Sequence, residues 1–145
     1  MKTLAQLVGC LLHAEVLGPR ERLISGICYH SSRVRPGYLF VCLPGTRTHG
    51  KRYVAEAVAA GAAAVVTDLE GMDAGDATVV RVPDTRLALA LLAACYYDFP
   101  SRDLVLTGVT GTNGKTTTTY LIDALLQSAG AATGLIGTVN YRIRG

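Results

Sequence analysis

Apolar residues recur at helical spacing in some segments and form short uninterrupted runs in others. Helical spacing predicts a helix over about residues 2–17, a second over 51–60 closed by Gly61, and a third capped by Asp84 that runs to about residue 97. Apolar runs bounded by glycine, proline or polar residues predict strands over 23–29, 38–43, 63–67 and 78–82. Strands that alternate with helices in this order indicate an α/β fold.

The same spacing predicts one apolar face on each of two helices. In the helix capped by Asp84, a single face carries Leu87, Leu91 and Ala94. Another helix is predicted to follow residue 114, with Leu121, Ile122, Leu125 and Leu126 sharing one face and Asp123 as a solvated residue. Each apolar face is expected to pack against a sheet.

A second strand–helix–strand pattern begins near residue 104. An apolar run over 104–106 precedes a glycine-rich loop and that last helix, and a final strand is predicted over about 132–139. Because the stretch 99–101 stops the preceding helix, we expect a first domain over 1–98 and a second over 99–145. One such unit is too little for a parallel sheet, so the second domain is expected to be truncated.

The glycine-rich loop has the composition of a phosphate-binding loop. The general pattern G-x-x-x-x-G-K-[ST] requires glycine where this chain has Val109, so we interpret the loop as a shorter G-T-N-G-K-T. The predicted nucleotide-binding residues are Gly111, Thr112, Asn113, Gly114, Lys115, Thr116 and Thr117. Glycines let backbone N–H groups converge on phosphate oxygens, and the helix N-terminus adds a favourable dipole. The alternative is a glycine-rich turn that caps an ordinary helix, which the flanking strand and helix disfavour.

Within this loop, two residues are predicted to be catalytic. The Lys115 ammonium would neutralise charge on the β- and γ-phosphates of ATP. The Thr116 hydroxyl would be a ligand of Mg²⁺. ATP and Mg²⁺ are therefore the predicted cofactors.

Composition limits the possible functions. Half of the 145 residues are hydrophobic and 17% are charged, which indicates a globular protein rather than a disordered one. The net charge of +3 comes without a basic run, so no nucleic-acid partner is expected. Four cysteines without metal-ligand spacing are expected to be reduced thiols in a cytoplasmic protein. No apolar run approaches the ~20 residues that span a bilayer, so no membrane partner is expected.

Two motifs resemble those of one enzyme family. Residues 108–119 read G-V-T-G-T-N-G-K-T-T-T-T, and residues 24–45 read I-S-G-I-C-Y-H-S-S-R-V-R-P-G-Y-L-F-V-C-L-P-G. The first is similar to the ATP loop of the Mur ligases, most closely those of the MurE type. The second is similar to their uridine-nucleotide-binding domain, whose usual pattern is roughly Y-D-S-R-x-V-x-P-G-D-L-F-V-A-x-x-G. The resemblance covers about residues 20–140.

The resemblance implies a fold and a set of substrate contacts. The fold is a uridine-nucleotide-binding α/β domain followed by the start of a P-loop, Rossmann-like ATP-binding central domain. The implied substrate-binding residues are Ser31, Thr46, Arg47, Thr48 and Thr138. The chain departs from the family pattern where His30 and His49 replace Asp and where Ser32 replaces Arg.

The resemblance also implies a reaction. Mur ligases of this type form an amide bond between UDP-N-acetylmuramoyl-L-Ala-D-Glu and a diamino acid, meso-diaminopimelate or L-lysine, through an acyl phosphate made with ATP. The diamino acid binds in a domain that this sequence lacks, so the fragment alone is expected to be inactive. Two alternatives remain: a non-catalytic nucleotide-binding module, and another P-loop ligase such as a cyanophycin-synthetase-like enzyme.

Overall fold

The computed structural model describes residues 1–44, 51–139 and 141–143, without the side chains of residues 51 and 52. It divides into two compact units, Met1–Leu104 and Val105–Gly145. This division falls close to the junction between residues 98 and 99, where the sequence predicts a domain boundary. The assignment of 1–98 and 99–145 as two domains stays a prediction.

The first unit is built on a five-stranded mixed sheet with the order β2-β7-β6-β5-β4. The strands of this unit are β1 Lys2–Thr3, β2 Glu15–Leu17, β3 Leu23–Ile24, β4 Gly26–Cys28, β5 Tyr38–Val41, β6 Ala64–Thr67 and β7 Thr78–Arg81. Strands β4 to β7 run parallel, and β2 lies antiparallel at one edge beside β7. Strands β1 and β3 form a separate antiparallel pair. The strands predicted over 38–43, 63–67 and 78–82 are confirmed as β5, β6 and β7. The single strand predicted over 23–29 is instead two short strands, β3 and β4, which belong to different sheets.

The described residues of this unit include three α-helices. They are α1 Leu4–Val8, α2 Lys51–Ala59 and α3 Thr85–Tyr96, with short 3₁₀ helices at Ser31–Arg33 and Pro100–Asp103. The helix predicted over 2–17 is wrong beyond its first turns, because β2 pairs with β7 instead of continuing α1. Its apolar spacing suits a helix, but Val16 lies opposite Val80 in the sheet, and this pairing outweighs local propensity.

The helices cover both faces of the sheet. One cluster of buried side chains joins α1 and α3 to the sheet, and the other joins α2 to the opposite face. Consecutive residues of β6 therefore alternate between the clusters: Ala64 and Val66 belong to the first and Val65 to the second. Burial on both faces explains why the central strands are continuous apolar runs.

The buried face of α3 differs from the predicted one. Its buried residues are Thr85, Ala88, Leu92 and Cys95. Leu87 is 48% exposed, so the face predicted from Leu87, Leu91 and Ala94 is wrong by about one position. Apolar residues occupy both stripes, and packing against α1 and the sheet decides which one turns inward. The N-cap fixes where the helix begins. The Asp84 carboxylate accepts hydrogen bonds from the backbone N–H groups of Arg86 and Leu87, at 2.8 and 3.0 Å.

A disulfide links α3 to the segment after α1. Cys10 and Cys95 are bonded, with their Cα atoms 6.4 Å apart and a sequence separation of 85. The expectation of four reduced thiols is wrong for this pair, because the packing of α1 against α3 brings the two sulfurs together. Cys28 and Cys42 are free and buried. Burial, and then the negative charge of Asp68, raise the pKa of the Cys42 thiol.

The second unit consists of α4 Lys115–Ser128 and an antiparallel hairpin of β8 Gly134–Ile136 and β9 Tyr141–Ile143. The helix is confirmed, and the strand predicted over 132–139 is shorter than expected. The strand predicted near 104–106 does not form, and Val105 is 99% exposed. Strand structure depends on a hydrogen-bonded neighbour, and within the described ranges no strand pairs with this run.

A buried carboxylate ties α4 to the hairpin. Asp123 is 8% exposed, so the expectation of a solvated residue is wrong. Its carboxylate accepts hydrogen bonds from the Thr133 hydroxyl at 2.6 Å and from the Gln127 side-chain amide at 3.0 Å. These bonds, Thr133 first, together with attraction to Arg142 lower the pKa of Asp123. The Thr133 bond fixes the chain just before β8 against the middle of α4.

We expect the two stripes of α3 to respond differently to truncation. Leu92→Ala removes a fully buried side chain and should lower the free energy of unfolding of the first unit by about 2–5 kcal/mol. The matched change Leu87→Ala, in the same helix, should lower it by less than about 1 kcal/mol. Urea unfolding followed by circular dichroism measures both values. Equal losses would contradict the observed orientation of α3.

Acid should weaken the second unit through Asp123. Since the folded pKa lies below the ordinary value of about 3.9, the carboxylate stabilises the fold fully above that value. This contribution disappears as the pH falls through the lowered folded pKa. NMR signals of β8, recorded between about pH 2 and 6, measure the pH dependence of unfolding. This dependence should be weaker in Asp123→Asn than in the parent chain. A variant with the same pH dependence as the parent chain would refute this role.

Candidate functional site

The predicted phosphate-binding loop immediately precedes α4 in the second unit. Gly111 has a φ of +148° and Gly114 a φ of +76°. A side chain at Gly114 would have open space, since nothing lies within 4 Å of its position, but the left-handed backbone there disfavours any L side chain. The loop therefore needs glycine for its backbone conformation rather than for close packing.

The N-terminus of α4 presents backbone donors to solvent. Gly114 is the N-cap and makes no side-chain capping bond. The N–H of Thr118 donates to the Gly114 carbonyl at 2.9 Å, which closes the first helical turn. By helix geometry, the N–H groups of Lys115, Thr116 and Thr117 have no carbonyl partner within the helix. Three donors at the positive end of a helix dipole favour an anionic ligand.

Lys115 brings a cation to the same place. Its ammonium donates hydrogen bonds to the carbonyl of Gly111 and, at 3.3 Å, to that of Thr112. The side chain thus folds back across the loop, within reach of a phosphate held by the backbone. Residues 111–118 are all exposed, so a nucleotide has free access.

Thr116 lies in the first turn of α4, where its hydroxyl is exposed. Its carbonyl accepts a hydrogen bond from the Thr119 hydroxyl at 2.8 Å. No group of three or more His, Cys, Asp or Glu side chains suited to a metal occurs among the described residues.

A separate cavity of about 580 Å³ lies in the first unit, along the connection between β4 and β5. Its lining residues are Ile27, Cys28, Tyr29, His30, Ser32, Arg33, Val34, Arg35 and Tyr38. Ser31, the predicted substrate residue, opens the 3₁₀ helix between two of them and is partly exposed. The prediction missed Arg33 and Arg35, although both stand in the motif that suggested Ser31.

Of the remaining predicted residues, Thr138 is the one that the structure describes. Thr46, Arg47 and Thr48 lie outside the described residues. Thr138 is exposed and follows β8 in the second unit. The roles of all the predicted site residues stay predictions. None of the helices in the described ranges is both long and apolar enough to cross a membrane.

Family comparisons match both units. The family model for "Mur ligase family, catalytic domain" matches residues 23–97, and that for "Mur ligase middle domain" matches residues 109–144. Among curated proteins, the chain is 50% identical over 126 residues to the UDP-N-acetylmuramoyl-L-alanyl-D-glutamate--2,6-diaminopimelate ligase of Syntrophomonas wolfei, covering 87% of this chain and 26% of that protein. The ligase of the same name from Gloeobacter violaceus is 52% identical over 121 residues, covering 82% and 24%.

Two solved MurF structures are also similar to the chain. MurF from Acinetobacter baumannii is similar with a TM-score of 0.71 and 27% identity, covering 95% of this chain and 30% of that one. MurF ligase from Thermotoga maritima in complex with ADP has a TM-score of 0.59 and 27% identity, covering 82% and 26%. The chain spans about a quarter of the length of its curated relatives. With one family model over more than half of its residues and a second over residues 109–144, the chain belongs to the Mur ligase family.

Proposed function

We propose that this chain is part of an ATP-dependent ligase of peptidoglycan precursor synthesis. The ligase joins a diamino acid to UDP-N-acetylmuramoyl-L-Ala-D-Glu through an amide bond. The observation that carries the proposal is the segment 111–117, which leads into α4 and offers exposed backbone donors and a lysine. It occurs in a chain that is about half identical to ligases named for this reaction. The proposal includes a cytoplasmic location, where ATP is supplied.

The residues present fit ATP and Mg²⁺. The uncapped N–H groups of the first turn of α4 would hold phosphate oxygens, and the Lys115 ammonium would neutralise negative charge beside them. The Thr116 hydroxyl would be a ligand of Mg²⁺, which supplies further positive charge when bound. Fixed donors of this kind stabilise charge that develops during phosphoryl transfer, because they need no reorientation as the reaction proceeds.

The substrate carboxylate is the group to be activated in this proposal. Phosphorylation by ATP gives an acyl phosphate and ADP, and attack by the amine of the diamino acid releases phosphate and forms the amide. The first unit would bind the uridine nucleotide through Ser31 and the residues 46–48. Thr138 would lie on the substrate side of the ATP loop. The diamino acid would bind to a part of the protein beyond this chain.

Among the relatives named above, sequence identity favours the diaminopimelate ligases over the MurF ligases. The MurF ligases share 27% identity with the chain, whereas the two diaminopimelate ligases share 50% and 52%. Fold similarity at the lower level is common to enzymes with different acceptors. We therefore place the chain with the ligases that add the diamino acid.

The ATP loop can be tested on this chain by calorimetric titration with Mg-ATP. Lys115→Met keeps the length of the side chain but removes its charge, and should weaken binding roughly 10- to 100-fold, the usual effect of losing a charged hydrogen bond. Thr116→Val should remove the advantage of Mg-ATP over metal-free ATP.

The matched control is Thr119→Val, which makes the same chemical change one turn later in α4 and should leave the affinity unchanged. Wild-type affinity in Lys115→Met would show that the loop is a helix cap rather than a phosphate site. Equal losses in Thr116→Val and Thr119→Val would remove the assignment of Thr116 as the metal ligand.

A further inference from the structure

The disulfide of the first unit joins two segments that are held to different degrees. Cys95 is 4% exposed and lies in the last turn of α3, within the buried cluster that joins α1 and α3 to the sheet. Cys10 follows α1 and is only partly buried. It belongs to a connection over residues 9–14 that runs through turns and bends to β2. The bond therefore ties an irregular segment to a well-packed helix.

Helix α1 has little stability of its own. It spans only five residues, and a helix this short does not persist in water without tertiary contacts. Its N-terminal end is fixed by a capping box between Thr3 and Gln6. In addition, the Lys2 ammonium donates a hydrogen bond to the Cys95 carbonyl. The C-terminal end of α1 is joined to the same helix by the Cys10 disulfide.

Reduction of the disulfide releases the end of α1 but not its start. Leu4 and Leu7 are fully buried, and they hold the start of α1 whether the cysteines are bonded or not. At the other end, the N–H groups of Gly9, Cys10 and Leu11 donate single backbone hydrogen bonds of 2.9 to 3.0 Å back into α1. Terminal hydrogen bonds of this kind open readily when no further contact fixes the chain beyond them.

The surroundings of the two sulfurs also suit the reduced state. The Gln6 carbonyl oxygen lies 3.7 Å from Sγ of Cys10 and 3.9 Å from Sγ of Cys95. A thiol is a weak hydrogen-bond donor, and a carbonyl oxygen has two lone pairs. This one oxygen can therefore accept from both thiols after reduction, so that the buried Cys95 thiol keeps a partner. The same fold accommodates both redox states.

We propose that the Cys10–Cys95 bond is a reversible redox switch that controls the order of the connection over residues 9–14. The reductant is a thiol of the glutathione class or a dithiol protein. Its thiolate attacks Sγ of Cys10, the more accessible sulfur, and the S–S bond breaks. Cys95 leaves as a thiolate and takes up a proton.

A second thiol completes the exchange. It attacks the mixed disulfide, so that Cys10 also leaves as a thiolate and takes up a proton, while the two reductant sulfurs form a disulfide. Two electrons and two protons pass to the chain in all, and the oxidised form of the reductant reverses the reaction. This switch goes beyond the proposed ligase reaction, since it acts on the order of the first unit rather than on a substrate.

Glutathione buffers test the switch on the chain. Reduced and oxidised glutathione are mixed in varied ratios, free thiols are then alkylated, and mass spectrometry counts them. The count should rise from two, at Cys28 and Cys42, to four as the share of reduced glutathione increases. Peptide mapping should place the two new thiols at Cys10 and Cys95.

Hydrogen exchange and thermal unfolding measure what reduction does to the fold. The amides of Cys10 and Leu11 should exchange roughly tenfold faster in the reduced chain, because the end of α1 has lost its covalent tie. The midpoint of thermal unfolding should fall by about 10 °C, since the bond closes a long loop in the unfolded chain. Cys10→Ser should behave as the reduced chain in both buffers. Cys28→Ser is the matched control and should keep the difference between the buffers.

Any of three results would overturn the switch. A disulfide that stays closed in excess reduced glutathione would be a permanent structural bond. Thiols at Cys10 and Cys95 that stay free in excess oxidised glutathione would show that the bond does not form. Equal exchange of the Cys10 and Leu11 amides in the two forms would show that the bond orders no segment. The exchange comparison uses the parent chain, so it holds even where Cys10→Ser fails to fold.

Discussion

The burial of strand β6 on both faces is the constraint on which the first unit depends. Its residues alternate between two buried clusters, one closed by α1 and α3 and the other by α2. Both layers must be in place before β6 loses contact with water, so the helices and the sheet form one cooperative structure. The parallel order of β4 to β7 follows from this layering. The same layering holds the β4–β5 connection in place, together with the cavity that Arg33 and Arg35 line.

The second unit is organised differently. Among the described residues of this unit, the buried side chains are those of Leu135 and Asp123. A single apolar contact stabilises little by itself, so the hydrogen bonds from Thr133 and Gln127 to the Asp123 carboxylate carry much of the connection between α4 and β8. The proposed phosphate loop leads into the same helix. Its geometry is therefore linked to a polar contact rather than to a large core.

The proposed phosphate loop and the cavity of the first unit differ in the groups that they present. In the loop these are backbone N–H groups, which glycine conformations and the start of α4 hold in place, and Lys115 adds one charge. The cavity is lined by Arg33 and Arg35, on a short connection between two strands. Backbone donors suit a phosphate that reacts, since they are fixed in advance.

The sequence by itself determined the features that depend on local rules. Apolar runs located strands β4 to β7, and Asp84 located the start of α3, because each is set by neighbouring residues. Glycine spacing located the loop that precedes α4 for the same reason. The family motifs indicated the family to which the chain belongs, and the comparisons confirmed it.

Only the tertiary structure decided the features that depend on distant partners. The inward stripe of α3, the pairing of β2 with β7, the Cys10–Cys95 bond and the burial of Asp123 each join segments that are separate in sequence or choose between equivalent local patterns. The exposed run near Val105 also shows that a strand depends on a distant partner. Its composition suits a strand, but a strand forms only where another strand accepts its hydrogen bonds, and no local pattern supplies that partner.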